Sequence, residues 1–121
     1  MKRILLAEDE EVLRMLIVDT LEDDGYEIDE ASDGLEALEF IEENDYDLVI
    51  VDYMMPGLTG LEVIEKVRTM PNKTELKMMM LTAKSQQKDE EAAKRAGANY
   101  FLAKPFSPIK LAELVGEIVN V

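Results

Sequence analysis

Leu48-Val49-Ile50-Val51-Asp52-Tyr53-Met54-Met55-Pro56-Gly57-Leu58-Thr59-Gly60 sets four consecutive apolar side chains in front of a carboxylate, and then a run of turn formers. A short continuous apolar run closed by turn residues reads as a strand buried on both faces, the kind found at the centre of parallel sheets. Runs of the same length occur at 4–7, 28–31, 78–81 and 100–103. Glu27, Asp29 and Glu30 make the second of these alternate, which suits a strand near a sheet edge. The three methionines at 78–80 read as adaptable core filler.

Between the runs, apolar residues recur at helical spacing. The sets are Val12, Leu13, Leu16, Ile17 and Leu21; Leu35, Leu38 and Ile41; Leu61, Ile64 and Val67; and Leu111, Leu114, Val115 and Ile118. Each set predicts one helical stripe packed on the sheet. Gly25 and Gly97 sit where helices should end, and Ser107-Pro108 supplies an N-cap followed by a first-turn proline. The segment 86–96 is the least apolar, although Ala92, Ala93 and Ala96 still allow a helix. Five βα units in succession predict an α/β doubly wound parallel sheet with helices on both faces. With 121 residues and no dividing linker, one domain over 1–121 is expected.

Composition narrows the chemistry. Thirteen basic against 27 acidic residues give a net charge of −14, which argues against a direct grip on nucleic acid or an anionic membrane. Basic proteins and metal cations are the better partners. With no cysteine and no histidine, the chain has no thiol nucleophile, imidazole base, Ser-His-Asp triad or phosphohistidine. Its apolar runs are too short for a signal peptide or a membrane span, and a cytoplasmic protein is expected.

Ligands of an open parallel sheet bind beyond the carboxyl ends of its strands. There the sequence places Glu8 and Asp9 after the first run, Asp52 after the third, Thr82 after the fourth and Lys104-Pro105 after the fifth. Three carboxylates crowded together repel, and a hard cation would relieve them. Oxygen donors without His or Cys favour Mg2+, with Mn2+ able to substitute. Asp is itself a nucleophile that can form an acyl phosphate, and Lys104 and Thr82 could hold an anion attached to it.

In this order and spacing, Glu8-Asp9, the stretch from Asp52 to Gly60, Leu81-Thr82-Ala83 and Lys104-Pro105-Phe106 resemble the receiver domain of two-component response regulators, over essentially the whole chain. The resemblance implies a flavodoxin-like (βα)5 fold with strand order 2-1-3-4-5. It implies that Asp52 accepts a phosphoryl group from the phosphohistidine of a sensor histidine kinase or phosphotransfer protein. Asp9, Asp52 and the Met54 backbone carbonyl would hold Mg2+, with Glu8 acting through a water. Thr82 and Lys104 would bind the phosphoryl oxygens, beside a small Ala83, and the Lys104–Pro105 bond would be cis. Thr82 and Phe101 would form the switch that alters the surface of the fourth helix, fifth strand and fifth helix for a downstream protein target. Met54 and Lys84 would flank the hydrolytic water and set the lifetime of the phosphoryl group.

Asn99 and Tyr100 stand where the subfamily that dimerises through ionic contacts carries two acids, so a monomer is expected, with a phosphorylation-dependent dimer the alternative. No output module follows Val121, so the chain reads as a stand-alone regulator resembling those of chemotaxis, or as a piece of a longer one. The chief rival is a magnesium-dependent aspartyl-nucleophile phosphohydrolase, whose second Asp would fall at Met54. A flavodoxin-like electron carrier fits less well, because Glu8-Asp9-Glu10-Glu11 would repel a flavin phosphate.

Overall fold

A computed structural model describes residues 1–83 and 87–120. Strands and helices alternate: β1 Arg3–Ala7, α1 Glu11–Asp23, β2 Glu27–Ala31, α2 Gly34–Glu43, β3 Leu48–Asp52, α3 Gly60–Val67, β4 Met78–Ala83, α4 Gln87–Ala96, β5 Tyr100–Lys104 and α5 Pro108–Val119. The strands form one sheet in the order β2-β1-β3-β4-β5, and every pairing is parallel. All five residues of β3 are buried, as its unbroken apolar run requires. Edge strand β2 exposes Glu27 and Glu30.

Side chains alternate across a strand, so the sheet separates two cores. Leu5, Val49, Val51, Met78 and Met80 pack with Ala37, Ile41, Val63, Ile64 and Ala93 on the side of α2, α3 and α4. Ile4, Leu6, Leu48, Ile50, Met79 and Leu81 pack with Ile17, Leu21, Leu111 and Val115 on the side of α1 and α5. The three methionines are fully buried, as expected of core filler.

Local chemistry fixes the helix ends. Thr59 and Glu62 form a reciprocal capping box at α3. Asp33 and Ser107 accept N–H groups of Glu36 and Lys110, and Pro108 opens α5. Gly25 and Gly97 end α1 and α4 at φ of 90° and 117°, a region that disfavours side chains.

Three apolar residues expected on packed stripes are exposed: Val12, Leu16 and Leu35. At 100° per residue, Leu16 and Val12 lie about 100° and 140° around α1 from the buried Ile17. Leu35 lies about 120° around α2 from Ile41. A sheet covers only a narrow arc of each helix, which Ile17 and Leu21, and Ala37 and Ile41, already fill.

Candidate functional site

Four strand ends and one short loop build the site. Glu8, immediately after β1, donates its N–H to the Ala31 carbonyl of β2 at 3.1 Å. Asp52 is the last residue of β3, and Lys104 the last of β5. Strand alternation puts Glu8, Asp52 and Lys104 toward the same face, that of α1 and α5. Gly60 lies so close to the Asp52 carbonyl that a Cβ there would collide with it, and the Gly60 N–H donates to Tyr53 O at 2.9 Å. The start of α3 therefore presses directly on the end of β3.

The Lys104 ammonium lies 2.9 Å from Asp52 Oδ1 and 3.3 Å from Glu8 Oε1. Carboxylate oxygens of Glu8, Asp9 and Asp52 come within 4.8 Å of one another. Glu8 is fully buried and Asp52 is 6% exposed, whereas Asp9 faces solvent. Burial pushes Glu8 up to about 7, helped by the Asp52 charge and opposed by the Glu10 N–H and by Lys104. Burial alone would lower Lys104, but its hydrogen bond to Asp52 and the charges of Asp52 and Glu8 outweigh that and raise it.

The donor set fits a divalent cation. Glu8 Oε2 accepts the Glu10 N–H at 3.1 Å, whereas the buried Oε1 has no well-formed hydrogen bond among the described residues and faces the Lys104 ammonium at 3.3 Å. A buried acceptor left in that state is costly, and a bound ion relieves it. Lys104 offsets one of the three carboxylate charges, and all the side-chain donors are hard oxygens, which suits Mg2+ or Mn2+.

The remaining expected residues are distributed around this group. Thr82 is 2% exposed on β4, one residue beyond Leu81, the register partner of Asp52. By alternation it points to the α3 and α4 face. Phe101 shares that face, half-buried against its core, and its register partner Met80 is two residues before Thr82. Thr82 and Phe101 are therefore diagonal neighbours. Tyr100 packs on the opposite side, as its place in the strand predicts. Met54, two residues past Asp52, is 66% exposed. Lys104–Pro105 is cis. Lys84 and the Ala83 side chain lie outside the described residues.

Sequence reasoning missed Arg14 and Arg68 and read Asn99 only as a missing acid; all three brace this architecture. Arg14 of α1 donates to the Glu8 carbonyl at 2.7 Å. Arg68 ends α3 and donates to Gly97 O, Lys73 O and Asn99 Oδ1. Asn99 Oδ1 also accepts the Met78 N–H at 2.8 Å, so this residue serves the fold where an acid would otherwise offer an ionic contact. None of these pairings falls at a helix or strand spacing that a sequence pattern would mark.

Residues 4–116 match the response regulator receiver domain family. The chain is 40% identical over 119 residues to the alkaline phosphatase synthesis transcriptional regulatory protein PhoP of Bacillus subtilis, covering 98% of this chain and 49% of that protein. It is 32% identical over 117 residues to chemotaxis protein CheY-3 of Vibrio cholerae, covering 96% of this chain and 90% of that one. Among solved structures, the receiver domain of sensor histidine kinase PA1611 from Pseudomonas aeruginosa superposes with a TM-score of 0.91 at 31% identity, covering 99% and 98% of the two chains. That structure holds a magnesium ion coordinated in its active site cleft. The chain spans about half the length of several curated relatives it matches, PhoP among them.

The chain belongs to the response regulator receiver domain family of two-component signal transduction. Membership implies phosphorylation on an aspartate and a signalling role, and the phosphohydrolase alternative is not favoured. Met54 occupies the place its second Asp would need.

Proposed function

We propose that Asp52 is the phosphoacceptor and that a phosphohistidine on a sensor histidine kinase or phosphotransfer protein is the donor. An Asp52 carboxylate oxygen attacks phosphorus, the P–N bond to the donor imidazole breaks, and the imidazole nitrogen leaves with the bonding pair. The observation that carries this reading is the placement of Asp52 at the sheet edge, with Lys104 Nζ at 2.9 Å and the acids Glu8 and Asp9 alongside. Lys104 offers positive charge to the phosphoryl oxygens, and Thr82 would move toward them from the α3 and α4 side to offer a hydroxyl.

Asp9, Asp52 and the Met54 carbonyl would hold Mg2+, with Glu8 reaching it through a water. The ion would supply charge neutralisation at the phosphoryl oxygens. The output is protein contact: Thr82 and Phe101 couple the site to the face of α4, β5 and α5. A groove of about 600 Å³ there is lined by Phe101, Leu102, Pro105, Phe106 and Lys110 and suits a downstream protein target.

Intact-mass measurement after acetyl phosphate and Mg2+ treatment tests the assignment. Wild type should gain one phosphoryl group and Asp52→Ala none; equal labelling of the two would reject Asp52 as the acceptor.

A further inference from the structure

We propose that Arg14 is a positioning residue for the acidic loop, holding Glu8 and Asp9 in the arrangement that binds the cation; this rests on the metal reading given above. Residues 8–10 join β1 to α1 and carry three carboxylates in succession, a sequence whose own charges push its members apart. Glu10, the N-cap of α1, makes no side-chain capping bond. Among the described residues, Lys104 pairs with Glu8 Oε1 from across the site, the Glu8 N–H donates to Ala31 O of β2, and the Glu10 N–H donates to Glu8 Oε2.

A further contact comes from Arg14. Its Nη1 donates to the Glu8 carbonyl at 2.7 Å, while its Nε lies 3.3 Å from Glu30 Oε1. Glu30 immediately precedes Ala31, whose carbonyl receives the Glu8 N–H. One planar guanidinium thus joins the first turns of α1 to the end of β1 and to β2, at the peptide that sets the direction of both Glu8 and Asp9. Its side chain is only 19% exposed, so this fork is better ordered than a free surface arginine. Residues that orient metal ligands from behind commonly change metal affinity 10- to 100-fold when removed.

Titration of the protein with Mg2+ alone, followed by calorimetry and by the amide resonances of Asp9 and Asp52, separates positioning from simple support of the fold. Arg14→Met keeps the aliphatic stem and loses both polar contacts. It should weaken Mg2+ binding about tenfold or more, with the melting temperature in chelator recorded as the measure of folding. Glu30→Gln removes the ion pair, leaves the bond to the Glu8 carbonyl, and should bind Mg2+ within about twofold of wild type.

Arg14→Lys, which keeps the charge without the fork, should weaken binding severalfold and keeps the test open if Arg14→Met does not fold. Folded Arg14 variants that bind Mg2+ like wild type would overturn the proposal, as would a loss in Glu30→Gln equal to that in Arg14→Met. A wild-type protein with no saturable Mg2+ response would instead overturn the metal site itself.

Discussion

Glu8 carries an unusual load, because burial holds its carboxyl at about 7 against an ordinary 4.5 while Asp52 and Lys104 pull it in opposite directions. Between those values the metal-free folded protein binds a proton that the unfolded chain releases. The associated stability is present below about 4.5 and is lost as pH rises through about 7. Glu8→Gln mimics the protonated form at every pH. In chelator, the melting temperature of Glu8→Gln relative to wild type should therefore climb as pH goes from 4.5 to above 7, and a pH-independent difference would show that Glu8 titrates normally. Met54 poses a different question at the same scale. A thioether is a weak acceptor, and with two-thirds of its surface exposed beside Asp52 it can obstruct a water without orienting it. Decay of the phosphorylated protein, followed by mass at fixed Mg2+, should be severalfold faster in Met54→Asn. Unchanged decay would remove Met54 from the lifetime.

The packing of α3 on β3 ties an element to the chemistry. Gly60 opens α3 against the Asp52 carbonyl, so Gly60→Ala must push the helix start and the strand end apart. A cost of about 1 to 3 kcal/mol is expected from overpacking, measured by urea denaturation. Phosphorylation of Asp52 should fall with it; a variant of wild-type stability and labelling would show that the loop yields freely. Much of this architecture was legible in advance. Continuous burial of β3, the edge position of β2 and the cap at Ser107 follow from apolar runs, charge placement and cap chemistry that act within a few residues. Asp52, Glu8 and Lys104 could be gathered because parallel strands bring their carboxyl ends to one edge. The exposed Val12, Leu16 and Leu35 were misplaced because periodicity marks an apolar stripe but not how much of it the sheet covers. The bracing roles of Arg14, Arg68 and Asn99 were not legible, since their pairings follow no helix or strand period and their own types are ordinary on a helix or turn.

Over the whole molecule, a net charge of −14 disfavours the compact state through diffuse repulsion, while the cluster of Glu8, Asp9 and Asp52 adds a local and ion-specific part. The two respond differently to salt. Diffuse repulsion is screened by any electrolyte, since the Debye length falls from about 30 Å at 0.01 M to about 10 Å at 0.1 M. Local repulsion in a half-buried site is screened far less and should answer to a cation that enters it. In chelator, the melting temperature should therefore rise gradually with NaCl. At constant ionic strength, Mg2+ should add a further, saturable rise. At about 100 times the dissociation constant, mass action supplies about 2.7 kcal/mol, on the order of 10 °C for a domain of this size. Asp9→Asn separates the two contributions, because it removes one of 27 acids, and that acid belongs to the cluster. Its melting temperature in chelator should lie above that of wild type, its NaCl dependence should be nearly unchanged, and its Mg2+ response should largely vanish. If Asp9→Asn instead lowers the melting temperature in chelator and keeps the full Mg2+ response, the acids at this edge are not a repelling set waiting for a cation, and the stabilising site lies elsewhere.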